Sequence, residues 1–82
     1  MQSNPQFHRF AKQGWHRSRR TRGNWYRRIG SEIVTVYRDA CGMYHYCVIC
    51  SDDETVFSEA FSSLLAAKLA LYQRFERWLT HA

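Results

Sequence analysis

A chain of 82 residues leaves room for one domain, and a domain of this size buries only a modest fraction of its surface. Its net charge of +5 is unevenly spread: residues 1–30 carry eight Arg or Lys and no acid, whereas residues 31–82 carry four basic and seven acidic side chains. No apolar run approaches the roughly 18 residues that a membrane span needs, and three cysteines without an apolar leader do not suggest a secreted disulfide framework, so the expectation is a soluble protein of a reducing, cytoplasmic compartment.

In chain order, residues 1–24 are rich in Gln, Ser, Asn, Arg and Gly and show no sustained periodicity, which predicts a mobile or partner-ordered segment within a basic, aromatic-containing, flexible arm over residues 1–30. Pro5 suits a first helical turn, so a short helix over residues 5–13 is compatible with the arm. The stretch GWHRSRRTRGNWYRRIG, residues 14–30, sets six arginines among two tryptophans and a tyrosine with no carboxylate to balance them. Arginine offers planar bidentate donors to phosphate, and aromatic rings offer faces on which unpaired bases stack. The candidate binding residues are therefore Trp15, Arg17, Arg19, Arg20, Arg22, Trp25, Tyr26, Arg27 and Arg28. The competing explanations are a solvated tail and, for Trp25, a place in the core.

From Glu32 the composition changes to SEIVTVYRDACGMYHYCVICS, dense in β-branched and aromatic residues and broken once, at DACG. This predicts a β-hairpin whose loop is a type I turn opened by Asp39 and closed by a left-handed Gly42. Asp39 then pairs with Met43, Tyr37 with His45, Val36 with Tyr46 and Val34 with Val48. Period-two alternation puts Val34, Val36, Tyr44, Tyr46 and Val48 on one face, and Ile33, Thr35, Tyr37, Met43, His45, Cys47 and Ile49 on the other. SDDE, residues 51–54, marks a second turn, and TVFSEAF can supply a third antiparallel strand of undecided register.

Ser62 or Ser63 can cap a final helix, LLAAKLALYQRFERWLTHA, in which Leu64, Ala67, Leu71, Phe75, Trp78 and Leu79 share one stripe. Lys68 falls inside that stripe, where its stem is expected to snorkel from an apolar seam. The predicted fold is α+β: a three-stranded antiparallel sheet, β-β-β-α, spanning residues 31–82, with one C-terminal helix on one face and the basic N-terminal arm outside it. One helix covers one face. The other must be met by the arm's own aromatics, by a second copy of the chain as a homodimer, or by a partner macromolecule.

Chemistry beyond binding has little support. Cys41, His45, Cys47 and Cys50 include the spacing CVIC, but an extended strand points Cys47 and Cys50 to opposite faces, so a shared zinc ion is not expected. His45 and Cys47 are neighbours on one strand face with no third group to orient the imidazole, and the acids of SDDE are turn-formers. The expectation is a non-enzymatic protein without cofactor or metal.

The strand and helix order with Ala66, Ala67 and Lys68 early in the helix resembles many small α+β units, including short proteins of phages and other mobile elements. This resemblance is architectural and covers residues 31–82. Two functions follow as expectations. The first is a small basic protein that engages nucleic acid, single-stranded or structured or within a nucleoprotein complex, through its Arg/Trp-rich arm, without touching membrane. The alternative is a phage-encoded or mobile-element-encoded interaction module that inhibits a host nucleic-acid-processing or defence enzyme.

Overall fold

The computed structural model describes residues 5–21 and 23–76. In chain order the elements are α1 (Pro5–Lys12), β1 (His16–Arg17), β2 (Trp25–Ile29), β3 (Glu32–Arg38), β4 (Tyr44–Ile49), β5 (Thr55–Phe57) and α2 (Leu64–Arg74). The five strands form one antiparallel sheet in sequence order. The expected three-stranded sheet with a single helix is thus replaced by five strands and two helices, because the basic N-terminal segment is itself folded. It supplies α1, β1 and β2, and β2 pairs with β3 along its whole length, across the boundary expected at residue 30.

The signal for this was local. Ile29 pairs with Glu32 around a two-residue turn, Gly30–Ser31, and Gly30 has φ of +61° at the first turn position. Gly-Ser in that position is a hairpin signature of the type II′ turn, whose twist matches that of the flanking strands. The arginines of WYRRI obscured the strand that precedes it.

The predicted central hairpin is present in its predicted register, with Tyr37 opposite His45, Val36 opposite Tyr46 and Val34 opposite Val48. The Asp39 N–H donates to the Met43 carbonyl at 2.8 Å, and Gly42, with φ of +84°, donates to the Asp39 carbonyl at 3.0 Å. The turn of residues 51–54 forms with Asp53 in the left-handed region, which aspartate tolerates. In β5, Val56 pairs with Val48, and Ser58 exchanges hydrogen bonds with Tyr46. Beyond it Phe61 bridges to Tyr44, so the third expected strand carries one extra residue, as a bulge does.

Ser63 caps α2, its hydroxyl accepting from the Ala66 N–H at 3.0 Å. Ala67, Leu71 and Phe75 of the predicted stripe are buried, and so is Tyr72 from its margin, whereas Trp78 and Leu79 lie outside the described residues. The fully buried Val34, Val36, Val48, Ala67 and Leu71 form the centre of the core. Phe7 and Phe10 of α1 join the same cluster, and their rings meet the ring of Tyr72 at centroid distances of 5.5 and 5.4 Å. Both helices therefore cover one sheet face, and the second face is left open. Among the described residues no helix is long and apolar enough to cross a membrane.

Candidate functional site

Alternation along β2 decides where the candidate binding residues go. Trp25, Arg27 and Ile29 face the helices, while Tyr26 and Arg28 face outward with Thr35 and Ile33 of β3. An inward arginine needs acceptors, and α1 provides them. The Arg27 guanidinium donates to the carbonyls of Phe10, at 3.2 Å, and Gln13, at 3.0 Å, and lies 4.6 Å from the centroid of the Phe10 ring. Trp15 Nε1 donates to the same Phe10 carbonyl at 2.8 Å, and Lys68 Nζ donates to that of Ala11 at 2.8 Å. Three donors from three parts of the chain thus satisfy the carbonyls that a helix C-terminus leaves unpaired, and the two cations sit at the negative end of the helix dipole.

That arrangement explains how two cations coexist without a carboxylate partner among the described residues. Lys68 Nζ is 5.0 Å from the Trp15 ring centroid and 5.9 Å from that of Trp25, and the Arg27 guanidinium is 5.7 Å from Trp15. The aromatic faces supply attraction that partly offsets the lost hydration. Burial lowers the pKa of Arg27, and burial followed by the charge of Arg27 lowers that of Lys68. Gly14, with φ of +83°, lets the chain lie against the Arg27 guanidinium: a Cβ there would stand 3.1 Å from its central carbon. Trp15 and Arg27 consequently have their side chains engaged in fastening α1 to the sheet, and Trp25 lies beside Arg17 and Lys68.

The other candidates are placed differently. Arg19 and Arg20 are exposed in the β1–β2 loop, which the Ser18 N–H closes by donating to the Asn24 carbonyl at 2.9 Å. Arg17 is exposed at the edge of the covered face, its guanidinium 5.0 Å from the Trp25 ring centroid. Arg28 is exposed on the open face beside Tyr26. None of Arg17, Arg19, Arg20 and Arg28 has a carboxylate partner among the described residues. Arg22 lies outside those residues.

The open face brings together residues that the candidate set omitted. His16 sits opposite Tyr26, ring centroids 5.4 Å apart, and Tyr37 sits opposite His45, their rings nearly parallel at 10° and 5.2 Å apart. His16, Tyr26, Arg28 and Ile33 line a shallow cleft, together with Arg27. At the sheet edge β1 is only two residues long and pairs with Trp25 and Tyr26 alone, so it does not flank the rest of β2. From Ile33 at the cleft toward the far edge the face turns apolar: Ile33, Ile49 and Phe57 are 36, 41 and 66% exposed, against 43% for Tyr26. The alternation of β3 and β4 had already put Tyr37 and His45 on this face; the missing step was that β2 continues the sheet and carries Tyr26 alongside.

No protein-family model, curated protein or solved structure matches the chain. Its site must be read from its own residues.

Two further features bear on what the face can do. Asp39 Oδ1 accepts from the N–H groups of Cys41 and Met43, at 2.8 and 3.0 Å, while Oδ2 lies 2.7 Å from His45 Nε2. The hydrogen bond with His45, then that from Met43, holds the Asp39 carboxyl below its ordinary pKa. Cys47 lies on the open face between Thr35 and Phe57, whereas Cys50 packs against the core, so the two thiols of CVIC are on opposite faces. Burial raises both thiol pKa values, and for Cys50 the charges of Glu32, Asp52 and Glu54 add to it, against a smaller lowering by Arg74.

Proposed function

We propose that this protein is a small, non-enzymatic nucleic-acid-binding module of a reducing, cytoplasmic compartment, and that its polyanion contacts are the exposed arginines of the β1–β2 hairpin. The observation that carries the reading is the set Arg17, Arg19, Arg20 and Arg28, exposed along one sheet edge without carboxylate partners among the described residues and within a segment of 30 residues that contains no acid. The acids of residues 51–54 stand at the opposite edge, in the turn that leads into β5, which gives the molecule a cationic and an anionic side. A polyanion is attracted to the first and repelled from the second. Trp15 and Arg27 contribute as the scaffold that fixes β2, and through it Tyr26 and Arg28.

Four phosphate contacts imply that single-strand affinity falls about 50-fold between roughly 50 and 200 mM salt, through release of counterions. The test is a fluorescence titration at two salt concentrations with the wild type and with a variant carrying Arg19→Ala, Arg20→Ala and Arg28→Ala. The variant is expected to keep its fold and to show a flatter salt slope; weak, salt-insensitive binding by both proteins would remove the reading.

A second reading rests on the exposed Ile33, Ile49 and Phe57. They suit a protein partner, either a second copy of the chain or a host nucleic-acid-processing or defence enzyme inhibited by a phage-encoded or mobile-element-encoded protein. Lysate partners retained after nuclease treatment favour this reading; partners lost after it favour the first.

A further inference from the structure

We infer that the open sheet face is a seat for unpaired nucleobases, with Tyr26 and Tyr37 as stacking platforms, so that the ligand class is single-stranded nucleic acid rather than duplex. The inference rests on the nucleic-acid reading above and adds a substrate class and a second set of contacts to it.

Three observations carry it. Tyr26 lies opposite Thr35 and Tyr37 is two residues further along β3, which makes the two tyrosines diagonal neighbours on one face, about 7–8 Å apart. Each has an aromatic companion on the adjacent strand, His16 for Tyr26 and His45 for Tyr37. Cations line one border of this aromatic patch: Arg28 lies two residues beyond Tyr26 along β2, and Arg19 and Arg20 lie in the loop at the other end of that strand.

A strand laid along the β1–β2 border places phosphates against these arginines and turns its bases inward over Tyr26 and Tyr37. The acidic turn of residues 51–54 keeps the phosphates from the far border. Stacking requires the flat side of a base. In a duplex those sides are taken up by neighbouring base pairs, so a flat aromatic face distinguishes unpaired from paired strands even where charge does not. The apolar Ile33 beside the cleft gives a stacked base a dry flank and offers nothing to a bare phosphate chain.

The experiment uses the full chain and three fluorescent probes of equal length: oligodeoxythymidine, an abasic strand with the same phosphates, and a duplex. Each is titrated against the wild type, Tyr26→Leu, Tyr26→Phe and Tyr37→Leu, with circular dichroism as the fold control. The wild type is expected to prefer oligodeoxythymidine to the abasic strand by at least about tenfold, and Tyr26→Leu is expected to lose about tenfold on oligodeoxythymidine and nothing on the abasic strand. Tyr26→Phe keeps the ring and should match the wild type. Tyr26 is the decisive position because its side chain is exposed and outside the core, whereas Tyr37→Leu serves as the second platform.

Equal, salt-dependent binding of thymidine and abasic strands would overturn the base seat while leaving polyanion binding in place. Equal losses on both probes in Tyr26→Leu would overturn it as well. Absence of salt-dependent binding to every probe would remove the nucleic-acid reading and the inference with it.

Discussion

At the scale of single residues, Asp39 ties a turn to the open face. One carboxylate oxygen takes two backbone N–H groups of the β3–β4 turn and the other meets His45, whose ring lies parallel to that of Tyr37. A carboxyl whose folded pKa is depressed contributes stability that is present above its unfolded value, near 3.9, and is lost as pH falls through the folded value. Thermal unfolding followed from about pH 6 downward is therefore expected to show the wild type more stable than Asp39→Asn above roughly pH 4, with the gap closing in stronger acid. A gap that stayed constant with pH would show that the carboxylate charge contributes nothing there. Gly14 is a second single-residue constraint: Gly14→Ala combines a positive φ with a methyl against Arg27, and is expected to lower the melting temperature.

At the scale of elements, the attachment of α1 depends on contacts that helix propensity does not supply. An eight-residue helix is marginal alone, so Phe7 and Phe10 in the core and the donors at its C-terminus must hold it. Arg27→Ala removes two charge-assisted hydrogen bonds and a ring contact, for an expected cost of about 2–3 kcal/mol in chemical denaturation. Lys68→Met should cost less, since it deletes one hydrogen bond but also relieves a desolvated cation beside another. On the other helix, Leu71→Ala opens a hole at the centre of the core, with an expected loss of about 2–5 kcal/mol. If Arg27→Ala unfolded with wild-type stability, the fastening role given to it here would be wrong.

At the scale of the whole molecule, the dominant feature is the asymmetry between a covered and an open sheet face. The open face is aromatic and cationic toward β1 and apolar toward β5, so the two ends suit different occupants. Ile49→Asp, on the apolar end, is expected to leave nucleic-acid affinity within about twofold and to abolish any self-association seen in sedimentation. Limited trypsin digestion should begin at Arg19 and Arg20 in the exposed loop and reach Arg27 and Arg38, within β2 and β3, only later. First cleavage at Arg27 would mean that β2 does not hold its place in solution.

Local rules sufficed for the β3–β4 hairpin and for the start of α2, but not for β2, although its turn into β3 is equally local. Asp39 and Gly42 set the loop, period-two alternation set the register of β3 against β4, and Ser62 or Ser63 marked the start of α2, Ser63 being the cap; each depends on residues a few positions apart. Of the candidate residues, Arg17, Arg19, Arg20, Tyr26 and Arg28 are exposed, while Trp15 and Arg27 are engaged with the C-terminal end of α1. WYRRI was not recognisable as a strand because its central inward position is an arginine, which breaks the pattern of apolar residues facing a core. Only the folded chain supplies what makes that position tolerable, the Phe10 carbonyl and ring, which reach Arg27 from seventeen residues away. The same cause decided the open face: once α1 packs beside α2, both helices lie on one side of the sheet, and no periodicity within either helix determines which side that is.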